Sequence, residues 1–178
     1  MYEIESKFRS PGNEKINTAL SRLGARKVWE GDTEDVYFAH PTRDFGKSDE
    51  ALRLRKKDGA AELTYKGPRM KLEHTKAREE ITVKLEDPLA AQRIVERLGF
   101  AEKYVVRKHR STYILDKLRV EVDSVDGLGE FVELELITEE PVRAESLIQM
   151  AKEELGLGQL ETRTYLEMLI DKRGQEHK

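Results

Sequence analysis

MYEIESKFRS (residues 1–10) and, further along, REEITVKL (78–85) carry the reading of the fold. In both stretches apolar and charged residues alternate with period two, the pattern of a strand with one apolar and one polar face. Ile4 and Phe8 share one side of the first, with Glu3, Glu5 and Lys7 on the other. In the second, Ile81 and Val83 lie behind Arg78 and Glu80. Glu5 and Glu80 are 75 residues apart.

The same grammar follows each strand. Residues 13–23 read as a helix stopping at Gly24, a favoured residue just past a helix end. Asp87-Pro88 opens a helix to Leu98 with Gly99 after it, since Asp suits the N-cap and Pro the first helical position. Leu23 and Leu98 keep the 75-residue offset, as do Phe38 and Tyr113. Residues 27–39 are predicted extended, and 40–50 form a polar loop. ALRLRKK (51–57), Asp58-Gly59 and AELTYKG (61–67) form a hairpin, because Asp-Gly is a strong signal for a two-residue turn. Residues 68–76 read as a basic loop, with Gly67-Pro68 as a turn. In the second cycle, strands are expected at 101–114, 117–123 and 129–137. Helices at 141–155 and 161–171 close the chain, and the tail GQEHK is expected to fray.

Each half thus reads strand–helix–strand–strand–strand. That is either a duplicated unit or two ordinary helix–Gly–strand joints sharing an offset. On the duplicated reading the fold is α+β: an eight-stranded antiparallel β-barrel with helices packed outside. Eight strands enclose a small interior. The domain spans 1–178, with internal halves of about 1–67 and 77–137 and C-terminal helices at 141–171. The stripe Leu89, Ile94 and Leu98 is expected to cover the outer apolar face.

Composition bounds the chemistry. The 178 residues suit one domain, and 38% hydrophobic residues suffice for a core. Charged residues are also 38%, yet the net charge is only −3. Interspersed signs with no basic surplus argue against general nucleic-acid binding. The absence of Cys excludes disulfides, thiol nucleophiles and Cys-based metal centres. No apolar run approaches the roughly 20 residues of a membrane span. The N-terminus lacks a signal peptide's apolar stretch, so a cytosolic setting is expected.

Side chains at i and i+2 share a strand face, and this parity sorts the charges. Lys66, Arg53, Arg55, Arg78, Lys108 and Arg110 form a cationic group; Glu3, Glu5, Glu121, Asp123, Glu133 and Glu135 form an anionic one. Two readings stand: the solvated side of a one-faced sheet, or an inward face whose charges survive by pairing or binding ions. Paired carboxylates suit Mg²⁺ or Mn²⁺, and clustered Arg and Lys suit phosphate oxygens. The inward reading describes a pocket for a metal-bound polyphosphate.

EIESK (3–7), ALRLR (51–55), LTYKG (63–67), REE (78–80), KHR (108–110), RVEVD (119–123), FVELE (131–135) and TYLEML (164–169) resemble, in order, the signatures of the CYTH family of triphosphate tunnel metalloenzymes. Residues 37–55 look most like its class IV adenylyl cyclase branch. The resemblance implies a tunnel barrel, a homodimer, and action on a triphosphate, ATP above all, with Mg²⁺ or Mn²⁺. It implies metal ligation by Glu3, Glu5, Asp123, Glu133 and Glu135. Lys7, Arg53, Arg55, Lys66, Arg78, Lys108 and Arg110 would grip the triphosphate. Lys7, Lys66, Glu80 and Glu121 take the catalytic places, with Glu80 and Glu121 ligating metal or orienting a cation. Cyclase and triphosphatase chemistry both fit such a site, and a non-catalytic polyphosphate binder is the third possibility. No His is placed as a general base: His109 points opposite Lys108 and Arg110, His40 precedes Pro41, and His74 and His177 are expected in solvent. Val28, Trp29 and Tyr37 are assigned to packing or dimer contacts.

Overall fold

Wherever the sequence alternates, the backbone is a strand. In chain order the elements are β1 (Tyr2–Arg9), α1 (Asn13–Arg22), β2 (Arg26–Ala39), β3 (Ala51–Lys57), β4 (Ala60–Lys71), β5 (Lys76–Leu85), α2 (Pro88–Arg97), β6 (Ala101–Leu115), β7 (Leu118–Val125), β8 (Gly129–Thr138), α3 (Pro141–Glu154), β9 (Leu160–Glu161) and α4 (Tyr165–Glu176). The structure, a computed structural model, describes residues 2–71, 76–139 and 141–176. Within these it describes all side chains except those of residues 2, 3, 69–71, 76–78, 138, 141–145 and 176. The expected β-α-β-β-β order is present twice, β1 to β4 and β5 to β8. The strand pairs β1–β8, β1–β9, β2–β3, β3–β4, β4–β5, β6–β7 and β7–β8 are all antiparallel. Its hydrogen-bonded order is β5-β4-β3-β2-β6-β7-β8-β1-β9, with β5 and β9 at the two ends. The fold class is α+β.

The chain forms two compact units, residues 1–31 with 108–178, and residues 32–107. Both boundaries fall inside a strand, β2 and β6. In the first unit, Val120 and Val122 of β7 and Val132, Leu134 and Leu136 of β8 are buried with Ile16 and Leu20 of α1 and Ile148 and Ala151 of α3. These are the apolar positions behind the charged ones, so helices cover one face and leave the other to the charges. In the second unit the core is Val36, Phe38, Leu54, Ala61 and Val95. The Asp58-Gly59 turn forms as expected, with φ of 51° and 74°, the double positive φ that a type I′ hairpin requires.

Four local expectations need correction. The contact residue of α2 is Val95; Leu89, Ile94 and Leu98 are 67%, 60% and 68% exposed. The helix is rotated so that Val95, with half-buried Ala91 and Gln92, faces the sheet. Leu54→Ala is therefore expected to cost about 2–5 kcal/mol by denaturant unfolding, whereas Ile94→Ala should change stability by under about 0.5 kcal/mol. Second, Gly67-Pro68 is no turn: β4 continues to Lys71, and a register shift between Lys66 and Arg69 absorbs the proline, which donates no ladder hydrogen bond. Third, residues 160–161 pair with Lys7 and Phe8 of β1, and the last helix starts only at Tyr165. Fourth, that helix runs to Glu176, so the first part of the tail is helical. His74 and His177 lie outside the described residues.

Candidate active site

Register builds the charged face of the first unit. Lys7 of β1 stands opposite Glu133 of β8, and Glu5 opposite Glu135. Glu121 of β7 is also opposite Glu133, and Arg119 opposite Glu135. On the far side of β7, Asp123 faces Arg110 of β6. This face is not a water-washed exterior: Lys7, Lys108, Arg110, Glu121, Asp123 and Glu133 are all buried. Ionised groups survive there only through mutual pairing or bound ions.

Arg110 is the centre of the pairing. Its Nε donates to Asp123 Oδ1 at 2.6 Å and its Nη2 to Asp123 Oδ2 at 2.5 Å, a bidentate fork. Nη2 also donates to Glu133 Oε2 at 2.6 Å, and Nη1 to Glu121 Oε2. Burial would lower the Arg110 pKa, but Asp123 and Glu133 hold it above its ordinary value. Burial likewise opposes ionisation of Glu133, yet Arg110, Lys108 and Lys7 hold it down at about 2. Lys7 Nζ is 3.2 Å from Glu133 Oε1, and Lys108 Nζ 3.6 Å from Asp123 Oδ2. Cations and carboxylates thus stand side by side on one face, groups whose chemistry suits phosphate oxygens and hard metal ions respectively.

Among the described side chains the carboxylates outnumber the cations by one: Glu5, Glu121, Asp123, Glu133 and Glu135 against Lys7, Lys108, Arg110 and Arg119. The surplus shows at Glu5. Desolvation and the like charges of Glu133 and Glu135 push it up to about 7, against the pull of Lys7 and Arg110. Solvent does reach Glu5, which moderates that shift; its direction follows from the two flanking carboxylates. A carboxylate crowded this way is short of positive charge, and hard oxygen donors suit Mg²⁺ or Mn²⁺. Among the described residues no three acidic or histidine side chains converge as a metal cage. Mg²⁺ needs none, because it binds through one or two carboxylates completed by phosphate and water oxygens. The Glu5–Glu135 cross-strand pair fits that form. Asp123, 0% exposed, is already held by Arg110 on both oxygens and by the Tyr165 hydroxyl.

In the second unit, Arg53 and Arg55 of β3 stand opposite Tyr37 and Asp35 of β2. Arg55 grips buried Asp35 bidentately, at 2.6 and 2.7 Å. Arg53 Nη2 is 3.6 Å from Glu62 Oε1, and its buried Nε has no hydrogen-bond partner among the described residues. An unused donor on a buried guanidinium suits an acceptor-rich ligand such as phosphate. Lys66 Nζ lies 2.5 Å from Glu80 Oε1. Tyr37 is half-buried on this face, opposite Arg53 in the strand pair. The backbones of Glu3 and Arg78 belong to β1 and β5; their side chains lie outside the described residues. His109 is exposed beside Glu30, away from the charged face.

Sequence reasoning missed Asp35 and Tyr165. Parity with Tyr37 and opposition to Arg55 would have found Asp35. Tyr165 carried no such signal, since a helix brings it to the sheet from about 30 residues beyond β8. No helix among the described residues is long and apolar enough to cross a membrane.

Comparison with known proteins extends the picture. The CYTH domain profile matches residues 1–165. A Methanocaldococcus jannaschii protein, provisionally named an adenylate cyclase, is 41% identical over 135 residues, 76% of this chain and 77% of that one. Adenylate cyclase CyaB of Aeromonas hydrophila is 27% identical over 172 residues, 92% of this chain and 86% of that one. The solved PH1819 protein of Pyrococcus horikoshii superposes with a TM-score of 0.82 at 36% identity, covering 96% of this chain and 99% of that one. A Hippeastrum protein, HpAC1, described as having a dominant triphosphatase activity, superposes with a TM-score of 0.73 at 21% identity, covering 96% of each chain; that likeness is one of fold.

Proposed function

The chain belongs to the CYTH domain family, and from that premise we propose that it is an adenylyl cyclase of the class IV type, converting ATP to cyclic AMP and pyrophosphate with Mg²⁺ or Mn²⁺. The observation that carries the reading is the charged face on which buried Lys7, Lys108, Arg110 and Glu133 lie together with the solvent-reached Glu5 and half-buried Glu135. Such a face neutralises an anion and a cation together, which a metal-bound triphosphate supplies. Lys7, Lys108 and Arg110, with Arg53, Arg55, Lys66 and Arg78, provide the cations in this proposal. Glu3, Glu5, Glu133 and Glu135 hold the metal, and Asp123 joins them when Arg110 turns to phosphate. Glu121 and Glu80 orient Arg110 and Lys66. The metal would draw charge from the phosphate oxygens. The protein's own part is to hold the ribose 3′-oxygen in line with the α-phosphorus and stabilise the charge passing to pyrophosphate. The proposal takes the chain as one functional domain acting as a homodimer.

A second reading, a metal-dependent triphosphatase, draws on the activity described for the Hippeastrum neighbour: the same charges serve when water attacks the terminal phosphorus. Incubation with ATP, tripolyphosphate and thiamine triphosphate, each with Mg²⁺ or Mn²⁺, tests both. Cyclic AMP from ATP supports the cyclase; orthophosphate without cyclic AMP supports the hydrolase. Tight binding without turnover leaves a polyphosphate binder and rejects both enzymes. Arg53→Ala is expected to weaken triphosphate binding by about tenfold or more, given roughly 1.5–3 kcal/mol for a charge-assisted hydrogen bond, measured by calorimetric titration.

A further inference from the structure

Tyr165 is the first residue of α4, and its environment is unlike that of a helix residue packed on the outside of a sheet. Its ring is 7% exposed. The Lys7 ammonium lies 4.2 Å from the ring centroid and the Lys108 ammonium 5.0 Å. Its hydroxyl donates to Asp123 Oδ2 at 2.7 Å. Phe131 of β8 supports it edge-on, with centroids 5.2 Å apart. One side chain thus touches residues of β1, β6, β7 and β8.

The preceding segment fixes this placement. β9 pairs with β1 at Lys7 and Phe8, and the Arg163 carbonyl accepts from Lys7 Nζ at 3.2 Å. Thr164 Oγ1 accepts from the Glu167 backbone N–H at 3.2 Å, while Glu167 Oε2 accepts from the Thr164 N–H at 2.6 Å. This reciprocal box starts the helix at one residue and aims Tyr165 at the charged face. Burial, with Glu133 and Asp123 nearby, raises the phenol's pKa well above its ordinary value, so the hydroxyl stays a donor.

The chemistry of the contacts defines a role. Two ammonium groups and a guanidinium lie beside Glu133 and Asp123, and ammonium side chains are long and flexible. An aromatic face attracts a cation through its quadrupole without neutralising it, whereas a carboxylate pairs with the charge outright. The ring therefore holds two lysines in place without competing for their charge, which Glu133 and Asp123 share until a stronger anion arrives. The hydroxyl occupies Asp123 Oδ2, the oxygen nearest Lys108, which limits how closely Lys108 is drawn onto that carboxylate.

We infer that Tyr165 is a positioning residue of the triphosphate site: its ring pre-sets Lys7 and Lys108 for phosphate oxygens, and its hydroxyl holds the Asp123 carboxylate in place. This rests on the triphosphate reading above, and the wild-type protein tests that reading separately.

The experiment is calorimetric titration of tripolyphosphate, with Mn²⁺, into the full chain and its variants. Wild type is expected to bind; no binding rejects the triphosphate reading and this inference with it. Tyr165→Leu is expected to weaken binding at least tenfold, and Tyr165→Phe, which keeps the ring, about threefold. Incorporating phenylalanine with one, two and three ring fluorines at position 165 keeps the size and drains the ring quadrupole. Affinity is expected to fall stepwise along that series while the melting temperature holds. Met168→Ala, which removes a buried residue of the same helix, is expected to lower the melting temperature and leave affinity within twofold. A flat fluorination series, or equal affinity losses in Met168→Ala and Tyr165→Leu, overturns the inference. The fluorinated series decides the matter even where Tyr165→Leu fails to fold.

Discussion

Arg110→Ala is expected to lower the stability of the protein by about 3–5 kcal/mol at neutral pH, the usual cost of stranding a buried charge. The loss falls on Asp123, Glu121 and Glu133, all buried and all bonded to this one guanidinium. The effect has a pH signature. In the wild type Glu133 is held at about 2, below the ordinary 4.5. That depression adds stability at pH values above 4.5, and the added stability is lost as pH falls towards 2. The gap between wild type and Arg110→Ala should therefore be widest at neutral pH and narrow on acidification, as read by urea unfolding at about pH 7 and about pH 3. Arg110→Lys should fall between the two, because one ammonium cannot reproduce the fork across Asp123. A loss below about 1 kcal/mol at neutral pH would mean that these charges are solvated and would remove the basis of the proposed site.

Glu5→Gln is expected to weaken Mn²⁺ binding by at least about tenfold, followed by titration calorimetry, and to reduce turnover in step. Glu5 has Glu135 directly across the strand pair and Glu133 nearby, and both oppose its ionisation. In the chelated protein the same substitution should be neutral or mildly stabilising. Because the folded state raises the Glu5 pKa above the ordinary 4.5, the folded state binds more protons than the unfolded chain from that pH upward, towards about 7 at most. Wild-type stability contributed by this group thus declines as pH rises from 4.5 towards 7, and Glu5→Gln should lack that decline. Equal slopes for the two proteins, together with unchanged Mn²⁺ affinity, would take Glu5 out of the metal set.

Much of the site was legible because a strand has an exact period of two. Once residues 3–9 were read as alternating, Glu5 and Lys7 had to share a face, and the same parity aligned Arg53 with Arg55, Lys108 with Arg110 and Glu133 with Glu135. Helices were less legible. The stripe of Leu89, Ile94 and Leu98 satisfied the amphipathic pattern and yet faces solvent, since packing against Val36, Phe38 and Leu54 selected Val95. Gly67-Pro68 satisfied the turn pattern and yet lies inside β4, because a shifted register accommodates the proline.

The order of the elements, the two-fold β-α-β-β-β plan and the face on which each ionisable side chain stands were determined by local chemistry, for backbone periodicity and turn residues act over a few positions. Which charges pair was decided only by tertiary structure. Arg110 meets Glu133 across 23 residues and Tyr165 meets Asp123 across 42. Such partners are chosen by strand register and helix docking, whose energies are sums over many distant contacts that no short window of sequence contains.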